Sequence, residues 1–253
     1  MNKKLLVATT VLCAALAGCG GGGGSGSTPT SSTLAAQGVY EGTTSSGTDF
    51  SLLLLDNGTY YTLGGTRTSS GFLVSDLVEG TGTQSGASFT SSDLRDFLYT
   101  GQTLAGTLSA TVNAGTSVSG TLTEGATSVT FSGAPPASST YDYNTPANIS
   151  TIAGNWNVTT LQGASATLAV SSNGTFTGTS AGCNFSGTIS PRSSGKNVFD
   201  VAVVFGPSPC ALPNGSGNGI ALSYPIAGTN LTQLLVTAVD GTRTYGTVLF
   251  GQR

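Results

Sequence analysis

The chain has no histidine, and only 8% of its 253 residues are charged, against roughly a quarter in an ordinary soluble domain. Without histidine there is no Ser-His-Asp triad, no Cys-His pair, no histidine metal site and no side chain that titrates near neutrality by default. Scarcity of Glu, Lys and Arg removes the material of long helices. The cations Arg67, Arg95, Arg192, Lys196, Arg243 and Arg253 are scattered, so no basic stripe exists and nucleic acid is not an expected partner. No apolar run reaches the length of a membrane-spanning helix.

The letter-level matches to catalytic motifs fail on their context. Ser193-Ser194-Gly195-Lys196 spells S-x-x-K, but it follows Pro191 in a hairpin-loop composition, whereas that chemistry needs a helix and companion motifs. Lys196 is followed by Asn197, which rules out a phosphate-binding loop. No D-x-[DN]-x-[DN]-G run offers a calcium loop. Asp93 and Asp96 with Arg95, and Asp76 with Glu79, are the densest charge clusters, and both are expected to be solvated loop charges. The reading is therefore non-enzymatic, with no catalytic residues, no metal site and no cofactor.

Glycine, serine, threonine and short apolar runs make up what is present. There are 38 glycines, roughly twice the average share. Turn residues alternating with Val/Leu/Phe/Thr runs predict an all-β chain of many short strands. The same unit occurs twice. Gly38-Val39-Tyr40, Leu52 and Asn57-Gly58-Thr59 match Gly154-Asn155-Trp156, Leu168 and Asn173-Gly174-Thr175 at a constant offset of 116 residues. Each unit offers about eight strand-like segments. In the first they fall near 37–44, 49–55, 59–65, 71–81, 86–91, 103–111, 116–123 and 127–133, with a short helical turn expected over Ser91–Phe97. In the second they fall near 153–160, 165–171, 175–180, 183–190, 197–206, 218–224, 230–239 and 243–250. Asn57-Gly58, Asn173-Gly174 and Asp240-Gly241 carry the positive-φ chemistry of two-residue hairpins. Consecutive hairpins make a meander, and eight strands remove their open edges most simply by closing into a barrel. The inward positions are expected to fill barrels of that size. A connector containing Pro135, Pro136 and Pro146 separates the units, with Tyr141 and Tyr143 expected to lie against one of them.

The N-terminus carries an address. Asn2-Lys3-Lys4 precedes the apolar run Leu5–Leu16, and Leu16-Ala17-Gly18-Cys19 resembles the processing site of bacterial lipoproteins. The resemblance implies that Cys19 becomes the lipidated N-terminus. Gly20, in place of Asp, implies sorting to the outer membrane, with the lipid as the membrane anchor. Gly20–Ser32 reads as a flexible tether with a reach on the order of 20 Å. Cys13 leaves with the signal and Cys19 takes the lipid, so Cys183 and Cys210 remain and are expected to pair in an oxidising envelope. Loss of Lys3 and Lys4 takes the net charge from −3 to −5 (−3 − 2).

Gly154-Asn155-Trp156 is similar to the G-x-W that opens the first strand of lipocalin-like barrels. That family implies a tryptophan plug at the closed end, crossed by an arginine from the last strand, here Arg253; Arg243 would lie at the far end. The first unit departs from the pattern, with Tyr40 at the tryptophan position. The mature chain as a whole resembles outer-membrane lipoproteins with tandem lipocalin-like domains. The expected organisation is a signal peptide over 1–18, a tether over 19–35, barrels over 36–134 and 151–253, and a linker over 135–150. Three functional readings follow: an envelope-anchored binding or structural protein, a surface ligand or inhibitor acting on external macromolecules, and a carrier of small apolar molecules. The second rests on resemblance to transferrin-binding and lysozyme-inhibiting surface lipoproteins.

Overall fold

The structure, a computed structural model, describes residues 34–137 and 140–253. The signal peptide, Cys19 and nearly all of the tether lie outside the described residues. Two closed antiparallel eight-stranded barrels follow one another along the chain.

The first is built from β1 (Gly38–Thr44), β2 (Asp49–Leu54), β3 (Thr59–Thr68), β4 (Gly71–Thr81), β6 (Ser88–Leu98), β7 (Thr103–Asn113), β8 (Ser117–Glu124) and β9 (Thr127–Ala134). A three-residue β5 (Thr83–Ser85) pairs only with β6. β1 closes on β9, and β4 pairs with β6 across β5. The second comprises β10 (Gly154–Thr160), β11 (Ser165–Val170), β12 (Thr175–Ser180), β13 (Cys183–Pro191), β14 (Phe199–Phe205), β15 (Ser216–Pro225), β16 (Thr232–Asp240) and β17 (Gly246–Gln252). It closes between β10 and β17. The first three strands of the two barrels start at one offset, 116 residues (154 − 38, 165 − 49, 175 − 59).

Asn57-Gly58 and Asn173-Gly174 sit in loops one residue longer than expected. In each only the glycine has positive φ (84° in both), and the asparagine side chain accepts a hydrogen bond from the amide two residues on. Such a type I turn followed by a left-handed residue is the three-residue hairpin solution. Both central residues have positive φ at Ala181-Gly182 instead. At Asp240-Gly241 the left-handed residue is Arg243, with φ 56°. The Asp240 carboxylate captures the amides of Thr242, Thr244 and Tyr245, and this sets the loop shape in place of glycine.

The expected helical turn at Ser91–Phe97 is strand, interrupted by a bulge. The register of β6 on β7 shifts between Ser91 and Leu94, and the amide of Asp93 donates to the Ser91 hydroxyl. Because side chains alternate with period two, one extra residue exchanges the faces of everything after it. Phe89 and Ser91 point inward before the bulge; Leu94 and Asp96 do so after it. A second shift, where β3 pairs with β4 at Gly64/Gly65, does the same around Ser75. Phe72 and Val74 face outward from β4, whereas Asp76 and Val78 face into the barrel. The broken alternation is what imitated a non-strand pattern in the sequence.

The barrels share two apolar clusters. One joins Leu63, Phe72, Leu77 and Phe97 to Leu235 and Phe250; the other joins Leu53 and Leu55 to Ile220 and Leu222. β2 and β16 are buried on both faces, hence the unbroken Leu52–Leu55 run and the near-continuous Leu234–Val239 run. Tyr141 and Tyr143 fill the second cluster, so the linker packs against both barrels, not one. Their phenols bond Asn197 O and Gln37 Oε1 respectively. Gln233, fully buried, accepts from the Phe72 amide at 3.0 Å and donates to Gly251 O at 3.1 Å. Leu34, at the end of the expected tether, is docked on the first barrel's core.

Candidate functional site

The interior of the second barrel is the strongest candidate site. Alternation along its strands sends Leu168, Phe176, Ile189, Val201, Val203 and Val236 inward. These side chains leave a cavity of about 430 Å³, which corrects the expectation that inward residues would fill the barrel. Among the described residues its wall carries no charged side chain; Thr, Ser, Gln and the Tyr245 phenol supply the polarity. Burial pushes the Tyr245 phenol up, against a smaller opposing pull from the Thr247 hydroxyl, so it stays neutral.

One end of this barrel is stoppered. Trp156 is buried, and its indole N–H donates to Ile152 O at 2.7 Å. The Arg253 guanidinium lies 4.0 Å from the ring centroid and donates to Ala153 O at 2.8 Å. Gly154, at φ 119°, has no side chain where the guanidinium passes; an added Cβ would collide with it. The structure therefore brings Gly154, Trp156 and Arg253 together. The first barrel has a simpler form of this arrangement, in which Tyr40 OH donates to Ala36 O at 3.0 Å. Residues 36 and 40 are the 116-residue counterparts of 152 and 156.

The other end is the mouth. Cys183, at the start of β13, and Cys210, in the β14–β15 loop, form a disulfide with Cα atoms 4.5 Å apart. It holds that loop over the rim, where Pro209 and Ala211 contribute to the wall. The β6–β7 turn of the first barrel adds Gly101, Gln102 and Thr103 to the same rim. Arg243 leaves the β16–β17 loop away from Trp156 and joins the first barrel, where it binds the Glu79 carboxylate at 2.7 Å and also reaches Asp93. Arg192 likewise links Asp200 to Asp56 of the first barrel.

The first barrel holds a smaller cavity, about 180 Å³, with Asp76, Asp96 and Glu124 on its wall. The expectation that the 76/79 and 93/95/96 clusters are solvated loop charges is therefore wrong. All of them lie on strands; Asp76 and Asp96 were turned inward by the bulges, and Glu79 and Asp93 are held by Arg243. Ser193 and Lys196 lie in the loop after β13, where the ammonium donates to Asn144 Oδ1, and they form no pair. Among the described residues, no three acidic or cysteine side chains converge as metal ligands, and no helix is long and apolar enough to cross a membrane.

Compared with known protein families, curated proteins and solved structures, the chain matches none.

Proposed function

We propose that this chain is a non-enzymatic binding protein that takes an uncharged, largely apolar small molecule into its second barrel and is carried at the outer membrane by a lipid on Cys19. The observation that carries the binding half is the 430 Å³ cavity with an uncharged wall, closed by Trp156 below and open at the disulfide-held rim. Its size is that of small-molecule sites, and the balance of apolar wall to few polar groups fits an apolar guest. An empty space of this kind forfeits dispersion contacts along its whole lining, so a barrel shaped for stability alone would fill it. The wall offers no nucleophile–base pair, which supports holding over chemistry. The anchor rests on the Leu16–Cys19 resemblance.

The test is titration of N-phenyl-1-naphthylamine, a neutral apolar dye, into the purified full-length chain. A saturable one-to-one fluorescence rise is expected. It should weaken about tenfold or more, a loss of at least about 1.4 kcal/mol, in Val236→Phe, which puts a ring into the cavity. Absence of saturation, or equal affinity in the variant, refutes the binding site. Cys19→Ala should move the protein from membranes to the soluble fraction; continued membrane association refutes the anchor.

A further inference from the structure

We propose that the first barrel is a second, chemically distinct binding site, taking a small organic ammonium whose cationic head sits among Asp76, Asp96 and Glu124 and whose short apolar tail enters the barrel. Three strands deliver the carboxylates: β4 and β6 through their bulges, and β8 by plain alternation. Two glycines make room for them. An added Cβ on Gly64 would collide with the Asp76 carboxylate, and one on Gly106 would lie 3.0 Å from Glu124 Cγ. Asp76 is partly satisfied, accepting from the Gly64 amide at 3.0 Å and the Ser75 hydroxyl at 3.1 Å. Asp96 is not. Its side chain lines the cavity, the residue is 7% exposed, and its Oδ1 has no hydrogen-bond partner among the described residues. Glu124 Oε1 is likewise buried and without a donor.

Among the described residues, no lysine or arginine lines this cavity. The ion pairs nearby use other acids: Glu41, Asp56, Glu79, Asp93 and Asp200. Buried carboxylates facing one another without a counter-ion are costly, so one of the pair must hold a proton or meet a cation. Burial, the Asp76 and Glu124 charges, and a hydrogen bond from Asp96 to Glu124 push the Asp96 carboxyl up to about 8. With its proton at neutral pH, Asp96 is a stand-in for the missing cation; an ammonium would displace that proton.

The rest of the wall selects the kind of cation. Below the acids lie Phe50, Leu52, Val78, Leu108 and Phe131, with the two phenylalanines edge to face at 5.5 Å. Apolar and aromatic surface beside carboxylates suits an alkyl or aryl ammonium, including cation–π contact. A hard metal ion needs six or more oxygen ligands around one point, which these residues do not provide.

The experiment is calorimetric titration of the purified full-length chain with benzylammonium, using benzyl alcohol as the neutral counterpart and calcium as the metal control. The expected result is one-to-one binding of benzylammonium, at least about tenfold tighter than the alcohol, a difference of about 1.4 kcal/mol. Asp96→Asn and Glu124→Gln should each abolish that preference. Both remove like-charge repulsion and neither threatens folding. Val236→Phe, which blocks the other barrel, should leave it intact. Titration at pH 7 in two buffers of different ionisation enthalpy should show proton release on binding, absent in Asp96→Asn. Equal binding of the alcohol, loss in Val236→Phe alone, tighter binding of calcium, or no binding overturns the proposal.

Discussion

The two barrels share topology, strand offset and a plugging residue at position 40 or 156, yet their interiors are opposites. The second has regular ladders, an uncharged wall and a disulfide at its mouth. The first has two bulges, no cysteine among its residues and three inward carboxylates. One extra residue at Ser75 and another at Ser92–Asp93 produce most of this contrast. Interior chemistry in a β-barrel is thus set as much by register as by composition: the same letters placed without a bulge would have put Asp76 and Asp96 outside.

The largest effect should come from the feature confined to the second barrel. Replacing both Cys183 and Cys210 by serine removes a 27-residue cross-link and should cost about 3–4 kcal/mol of unfolding free energy, measured by urea denaturation, with apolar-dye binding falling as the rim loosens. If dye affinity is unchanged, the disulfide does not shape the mouth. Next is the ion pair that ties the barrels together. Arg243→Met leaves the buried Glu79 without its partner, and a loss of about 2–3 kcal/mol is expected, largely restored by adding Glu79→Gln. Burial raises the Glu79 carboxyl and Arg243 opposes that rise, so the single variant should also lose more stability than the parent as pH rises above about 4.5.

A third test concerns the interior of the first barrel. With Asp96 held near 8 against an ordinary value of 3.8, the folded state keeps a proton that the unfolded chain releases above about pH 4. Its stabilising contribution is complete below pH 4 and lost as pH rises through 8. Asp96→Asn should flatten this decline and raise stability at pH 8 by at least about 1.4 kcal/mol, the worth of a single pKa unit. Thermal melts from pH 5 to 9 decide it: parallel curves for variant and parent would show that Asp96 does not titrate there. The smallest change should follow Arg253→Ala. Loss of the contact over Trp156 should cost about 0.5–2 kcal/mol and red-shift the emission of the only tryptophan in the chain.

Much of this was legible in the residues and some was not. Period-two patterns such as Phe199, Val201, Val203 and Phe205 gave the strands and their inward face, and the paired units gave the two closed sheets. The pairing of Cys183 with Cys210 followed from the fates expected for the other two cysteines. The bulges escaped because they are departures from the very periodicity used to find strands, and Ser92 beside Asp93 looked like a helix cap. The cavity escaped because packing volume depends on barrel circumference, which local pattern does not encode. The shared interface had a signal in Leu52–Leu55 and Leu234–Val239, runs too apolar for strands wet on one side. Read as ordinary alternation, they gave independent barrels.

The tyrosine-filled seam has a practical corollary for anyone who would cut this chain in two. A fragment ending before Tyr141 would present Leu53, Leu55 and Phe72 to water, and a fragment starting after Tyr143 would present Leu222, Leu235 and Phe250. Large contiguous greasy surface of that sort drives precipitation and self-association. Excised halves would therefore need those outward leucines and phenylalanines rewritten as serine and threonine, the residues that already clothe the remainder of each barrel, before they could be handled alone.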